Sequence, residues 1–314
     1  MVNLSDIQAA AARIKGFARH TPLLPLEPNI WLKPENLQVT GSFKFRGAYN
    51  AISSLAPSIR AKGVVADSSG NHAQGVAAAA FMHGIPATIV IPENAPSIKV
   101  ERTKAWGAEI IRCPNASDLR MRVAREIRDT RGLEYIAPFD DARIIAGQGT
   151  VGLEIALDMP DVETVLVCVG GGGLLAGIAT AIKALAPRAK VIGVEPELAA
   201  DARESFYAGQ RRSWDAALVA RTICDGVRTQ GIGELNYQII SSLVDDIITV
   251  SEEAVLEAMR HLFLETKLAV EPTGALTTAA IRSGVFVPIG KTVCLISGGN
   301  YDPALLSQLF APII

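Results

Sequence analysis

A chain of 314 residues that is 49% hydrophobic and 20% charged is long enough to bury a sizeable core and too apolar to stay disordered. Thirty basic and 32 acidic residues leave a net charge of -2, which gives no electrostatic footprint for nucleic acid or for an anionic membrane. The four cysteines (Cys113, Cys168, Cys224 and Cys294) form no CxxC pair and the four histidines show no metal-ligand spacing. A disulfide framework and a zinc knuckle are therefore excluded, and a reducing cytoplasm is expected.

In chain order, residues 5–16 read as a helix with Ser5 as N-cap and apolar residues at Ile7, Ala10, Ala11 and Ile14. No basic-then-apolar signal precedes it. Residues 21–25 are an extended connector, 30–33 a short strand and 45–55 a helix. Strands at 63–66, 87–91 and 109–111 then alternate with helices ending at Met82 and spanning 97–106 and 117–129. A helix over 145–157 precedes the apolar strand 165–169, four glycines and a helix to Leu185. The strand 191–194 ends in Glu195. After the strand 246–250, Ser251 caps a helix with Glu252 and Glu253 in its first turn. A helix over 273–282 and a strand over 292–296 complete the pattern.

Residues 164–182 carry no charge and have the length of a membrane span, but Gly170 to Gly173 interrupt them, so a strand, turn and helix explain them better. Strands without alternation, separated by helices, predict α/β architecture: open, mostly parallel twisted sheets covered on both faces. Two units can be counted, a smaller one over 40–133 and a larger one from 1–39 plus 134–314.

Several loops follow strand ends, where open α/β sheets bind ligands. In Thr40-Gly41-Ser42-Phe43-Lys44-Phe45-Arg46-Gly47-Ala48 a lysine lies between phenylalanines and small residues. Alone it fits a lysine snorkelling to water; a Schiff base to a carbonyl cofactor is the other way to keep such an amine buried. Gly170-Gly171-Gly172-Gly173 opens a helix and can present backbone N–H groups to a phosphate. Gly171, Gly173 and Ala176, followed by Glu195, also fit a dinucleotide fingerprint. Ser68-Ser69-Gly70-Asn71-His72 opens another helix and could hold a carboxylate, or simply cap it. Ser297-Gly298-Gly299-Asn300 has the same strand-end placement. In Glu195-Pro196-Glu197-Leu198-Ala199-Ala200-Asp201 two carboxylates six residues apart flank a turn with a carbonyl between, oxygens that suit a hard cation or else a solvated acidic loop.

Together these stretches, with Ile145-Ala146-Gly147-Gln148-Gly149-Thr150, resemble the fold-type II pyridoxal-phosphate enzymes, in particular the serine/threonine dehydratase and serine racemase group. The match runs from Thr21-Pro22-Leu23 to Asn300. It implies a tryptophan-synthase-β-like fold, a large cofactor-binding domain, a small mobile domain over 40–133, and a homodimer. Lys44 would carry pyridoxal 5'-phosphate as a Schiff base and act as the α-proton base. Phe43 would stack on the ring, Gly170, Gly171, Gly172 and Gly173 would hold the phosphate, Asn71 the ring hydroxyl, and Ser297 the pyridine nitrogen. Ser68, Ser69, Asn71 and His72 would line the substrate carboxylate site, helped by Arg120. Glu195, the Ala199 carbonyl and Asp201 match the Mg²⁺ (or Mn²⁺/Ca²⁺) site of the racemase and hydroxyaspartate dehydratase branch.

The reaction this implies is dehydration of L-serine, L-threonine or a 3-hydroxyaspartate to a keto acid and ammonia. A serine hydroxyl cannot keep the pyridine nitrogen protonated as a carboxylate would, and a neutral ring disfavours a long-lived carbanion. Ser69, opposite Lys44, keeps serine racemisation open. A nicotinamide-dependent dehydrogenase built on Gly171, Gly173, Ala176 and Glu195 is the alternative from another class, and it leaves the lysine stretch without a role.

Overall fold

Among the described residues ten short strands, nearly all parallel, build two sheets. In chain order they are β1 (Leu24–Glu27), β2 (Ile30–Pro34), β3 (Val64–Asp67), β4 (Ala87–Pro92), β5 (Glu109–Cys113), β6 (Glu134–Tyr135), β7 (Thr164–Cys168), β8 (Lys190–Pro196), β9 (Asp246–Val250) and β10 (Thr292–Ile296). The structure is a computed structural model describing residues 1–93, 95, 97–114, 117–302, 305, 309 and 310, without the side chains of Ser117 and Asp118. The larger sheet has the order β1-β2-β10-β7-β8-β9 and the smaller β5-β4-β3-β6. Among these strands only β1 and β2 pair antiparallel.

The expected architecture is present, and its cause is burial. Every residue of β3, β4, β7 and β10 is buried, so the strands read as apolar runs without alternation. Differences lie at the edges. Leu24 and Pro25, expected in the connector over 21–25, instead open the edge strand Leu24–Glu27, where Pro25 is tolerated. β6 joins the smaller sheet just past residue 133 and is too short to leave a sequence pattern. The helices Asp201–Ala208 and Glu234–Leu243 were not anticipated. The first helix, Leu4–Ile14, is capped by Asn3 rather than Ser5. The Asn3 Oδ1 accepts from the Ser5 and Asp6 amides at 2.9 and 3.3 Å, and Asp6 returns the bond, completing a capping box.

Two features fix the helix that begins at the lysine stretch, Lys44–Ser53. It crosses the helix Ala142–Asp158 at backbone contact, since a Cβ on Gly147 would lie 2.6 Å from the Gly47 Cα. Beside that crossing lies a buried ion network. Arg46 donates through Nε and Nη2 to both oxygens of Glu35 at 2.7 Å, and through Nη1 to Glu154 at 2.6 Å. Lys33 donates to Glu154 and to the Thr21 carbonyl, each at 2.6 Å. Burial pushes the Glu35 carboxyl up, but the charge and hydrogen bonds of Arg46 outweigh it and hold the group below its ordinary value. The network joins β2 and the turn after it to both helices.

Removing one partner from such a cluster strands the others. Arg46→Met is expected to cost about 3–5 kcal/mol, read from the urea midpoint. An unchanged midpoint would show that the network contributes nothing net.

Candidate active site

The chain's loops meet above Lys44. Its segment is pinned to the loop after β10: Ser42 bridges Gly298, the Phe43 amide donates to the Ser297 carbonyl at 3.1 Å, and the Gly299 amide donates to the Gly41 carbonyl at 2.9 Å. Lys44 is the first residue of its helix, with Phe43 in the cap position. Its Nζ donates to the Pro138 carbonyl at 2.6 Å and lies 5.3 Å from the Phe43 ring centroid. Burial pushes the amine down to about 8, against the opposing influence of the Cys168 thiol.

The glycine loop faces it. Gly172 is left-handed at φ 91°. A Cβ on Gly171 would meet the Phe139 ring at 2.3 Å, one on Gly170 the Val227 Cα at 3.0 Å, and one on Gly172 the Ile232 and Ile240 methyls at 2.9 Å. Close packing thus accounts for these glycines on its own. The pointer to an anion is the helix they open, Gly173–Leu185, whose N-cap Gly172 supplies no side-chain acceptor for the first amides. A cavity of about 40 Å³ joins Lys44 to this loop and is also lined by Phe43, Phe139 and Cys168. Cys168, which no sequence motif singled out, therefore faces the site; burial pushes its thiol up to about 11.

Ser297 is buried with its Oγ unpartnered. Asn71 and His72 begin the helix Asn71–Met82, which comes against Lys44 where Gly75 leaves room: a Cβ there would lie 3.1 Å from the Lys44 carbonyl carbon. The Nε2 of His72 donates to the Ile136 carbonyl at 2.9 Å, leaving Nδ1 buried and unpartnered. Burial and the nearby Lys44 cation push the imidazole down to about 3, so it is neutral. The Ser68 Oγ accepts from the Gly70 amide at 3.2 Å, and Ser68 and Ser69 remain partly exposed at the end of β3. Arg120 contacts Asp67, one residue before this loop, at 3.4 Å.

One residue was missed. Glu271, directly before the helix Pro272–Arg282, is buried and accepts from the Asn71 Nδ2 at 2.6 Å and from the Asn300 amide at 3.0 Å. An acid inside the apolar stretch Leu268-Ala269-Val270-Glu271-Pro272 was the available signal.

Glu195, near the end of β8, and Asp201, which opens the helix Asp201–Ala208, are not among the residues lining the cavity beside Lys44. The Glu195 carboxylate accepts from the Ala202 and Arg203 amides at 3.0 and 2.7 Å. Each Glu195 oxygen thus accepts one main-chain amide and keeps a lone pair for a further partner. Both carboxyl oxygens of Asp201 are buried without a partner. Burial and the Asp201 charge lift the Glu195 carboxyl well above the usual range, and burial with Glu204 lifts Asp201 to about 7. Ala199 is buried in the intervening turn, Glu197–Ala199. Among the described residues no group of three or more His, Cys, Asp or Glu side chains could hold a metal, so a cation here would need main-chain oxygen as well.

The family profile described as "Pyridoxal-phosphate dependent enzyme" matches residues 14–298. The chain belongs to that family. The catabolic L-threonine dehydratase TdcB of Staphylococcus aureus (strain USA300) is 44% identical over 315 aligned positions, covering 96% of this chain and 90% of the relative. The crystal structure of a threonine deaminase from T.th. is 47% identical with TM-score 0.90, covering 96% of this chain and 99% of that one. Maize serine racemase is 36% identical with TM-score 0.91, covering 98% and 96%.

Gly172→Ala combines a left-handed backbone with a crowded Cβ and is expected to cost about 2–4 kcal/mol in a urea titration. Gly70→Ala, whose Cβ would meet nothing within 4 Å, is the control and should cost much less.

Proposed function

We propose that the protein is a pyridoxal-phosphate-dependent ammonia-lyase that dehydrates a β-hydroxy amino acid to a 2-keto acid and ammonia. The observation that carries the reading is the Lys44 amine, half-buried opposite a helix-opening glycine loop in a chain of this family. Similarity to a threonine dehydratase and a threonine deaminase supports L-threonine as substrate, and the likeness to maize serine racemase supports L-serine; 3-hydroxyaspartate remains part of the proposal.

When bound, the cofactor supplies an electron sink for charge developing at the substrate α-carbon. The chain's residues do the rest. Lys44 holds the carbonyl group and then takes the α-proton; with its affinity lowered to about 8, about a tenth of the free amine is neutral at pH 7. Phe43 flanks the ring. The Gly170, Gly171, Gly172 and Gly173 amides hold the phosphate. Asn71 holds the ring hydroxyl through the amide hydrogen that Glu271 does not take. Ser297 meets the ring nitrogen with a neutral hydroxyl and cannot hold a proton on it. Ser68, Ser69, Asn71 and neutral His72 receive the substrate carboxylate at a helix N-terminus. Arg120, through Asp67, steadies that loop.

The buried, unpartnered carboxyl of Asp201, with Glu195 and the Ala199 carbonyl, fits Mg²⁺, Mn²⁺ or Ca²⁺ as a structural ion away from the chemistry. Serine racemisation is a second reading, supported by the likeness to maize serine racemase, with Ser69 donating the proton opposite Lys44. A mobile small unit over 40–133, its boundary moved past Tyr135 because β6 pairs with β3, belongs to the same proposal, as does a homodimer. Four buried free cysteines support a cytoplasmic setting, and no described helix is long and apolar enough to cross a membrane.

Keto acid release from serine, threonine and both 3-hydroxyaspartate diastereomers tests the reading. Lys44→Ala should abolish the cofactor's absorption band and lower release by more than about 10³-fold. A colourless protein that ignores added cofactor would overturn it. D-serine appearing beside pyruvate supports the racemase activity, and pyruvate alone rejects it.

The metal site has its own readout. Millimolar Mg²⁺ should raise the melting temperature by about 3 °C for each kcal/mol of linkage, and Asp201→Asn should erase the response. A melting temperature indifferent to Mg²⁺, Mn²⁺, Ca²⁺ and chelator would reject the ion.

A further inference from the structure

Glu271 has no role in the reaction described above, yet it occupies the junction of three loops at the site. We propose that Glu271 is a positioning residue that fixes the orientation of the Asn71 carboxamide and thereby locks the Ser68–His72 loop onto the Ser297–Asn300 turn. The proposal deepens the functional reading, since Asn71 is the residue assigned to the ring hydroxyl.

The geometry runs as a closed triangle. Asn71 Nδ2 donates to Glu271 Oε1 at 2.6 Å, the Asn300 amide donates to Glu271 Oε2 at 3.0 Å, and Asn300 Nδ2 donates to Asn71 Oδ1 at 2.8 Å. Asn300 Nδ2 also donates to the Thr40 carbonyl at 2.7 Å, which ties the triangle to the lysine stretch. Behind the carboxylate the Glu271 amide donates to the Gly298 carbonyl at 3.2 Å, and a Cβ on Gly298 would lie 2.6 Å from Oε1. Glu271 is only 2% exposed, so the carboxylate has no water to fall back on.

Both neighbours of this carboxylate are donors, so both of its ends must accept. A glutamine at 271 would turn its NH₂ toward either the Asn71 NH₂ or the Asn300 amide, placing donor against donor. The site therefore demands a carboxylate rather than a polar side chain of the same shape. With the carboxylate in place, the Asn71 carboxamide has one allowed orientation, and a single N–H of Nδ2 is left to face the site.

The same demand makes the triangle sensitive to protonation. The charged and titratable groups around Glu271 are Asp225, from the turn Asp225–Val227, Lys99, from the helix Ser97–Lys104, and the Cys168 thiol at the end of β7; Lys99 and Asp225 also pair with each other, and Arg102 donates to the Asn300 Oδ1 at 3.1 Å. Burial, with Asp225 adding and Asn71, Lys99 and the Asn300 amide opposing, pushes the carboxyl up to about 7. Protonation turns one acceptor into a donor, so the triangle is intact above that value and opens as pH falls through it.

The test uses the holoenzyme and the variant E271Q, checked for native circular dichroism. On the best substrate of the panel, E271Q should raise KM about tenfold at pH 8 with kcat changed less than threefold. Its bound cofactor should absorb at a shifted wavelength. The wild-type fall in kcat/KM below a midpoint near pH 7 should vanish in the variant. The double variant N71A/E271Q should be no worse than the worse single one. Wild-type KM, spectrum and pH limb retained in E271Q would overturn the proposal, as would additive losses in the double variant. A readout that needs no turnover separates this from failure of the functional reading. If no substrate is turned over, hydrogen-exchange protection of amides 68–74 should still fall at least tenfold in E271Q, and in wild type on acidification. Unchanged protection in both would overturn the lock whatever reaction the protein performs.

Discussion

The site rests on an amine held where a cation is disfavoured. Lys44 starts a helix, so the positive end of the helix dipole adds to the desolvation that already pushes its proton off. Among the described residues no carboxylate pairs with it: its hydrogen-bond partner is the neutral Pro138 carbonyl. Two residues later on the same helix, Arg46 is given what Lys44 is denied, two carboxylates in bidentate and branched contact. The pairing of Arg46 anchors the helix, and the lack of a pair at Lys44 leaves the amine with the lowered proton affinity that its proposed covalent role requires. An Arg46 that lost its partners would loosen the segment that keeps Lys44 out of water, so the stability of the ion network and the proton affinity of the amine are properties of one helix.

Much of this was legible in sequence because each loop carries a local constraint. Lys44, the glycine loop, the Ser68–His72 stretch and Ser297 each follow or open a regular element, and parallel strands bring such ends to one edge. What was not legible depends on contacts across the chain. Glu271 looks like a residue before a helix-starting proline; its meaning lies in Asn71, 200 residues away in sequence. Cys168 continues an apolar strand, and only the strand's end facing Lys44 turns it into a site residue. The Asn3 cap was outcompeted in the sequence reading by Ser5, which is also a good cap; the choice is made by Asp6 reaching back to the Asn3 amide. In the glycine run the sequence pointed to phosphate and dinucleotide loops, whereas the structure also crowds all four positions against Phe139, Val227 and Ile232.

Buried polar groups sort the molecule into scaffold and site. In the Arg46 cluster, Glu35 receives three close donors and Glu154 accepts from both Arg46 and Lys33. That is the condition under which buried charge is tolerable. Ser297 Oγ and His72 Nδ1 beside Lys44, and both oxygens of Asp201, have none. Unpartnered buried atoms also occur elsewhere, as at Thr229 and Thr278, so a lone hydroxyl carries little weight. A carboxyl group is different, because an uncompensated buried charge costs several kcal/mol and the group escapes only by taking up a proton or finding a cation. Asp201 sits where the chain leaves β8 for the helix Asp201–Ala208, and Glu195 has already taken the Ala202 and Arg203 amides that could have satisfied it. Two acids therefore compete for one set of donors, and the loser is the one whose charge calls for a partner that the polypeptide does not supply.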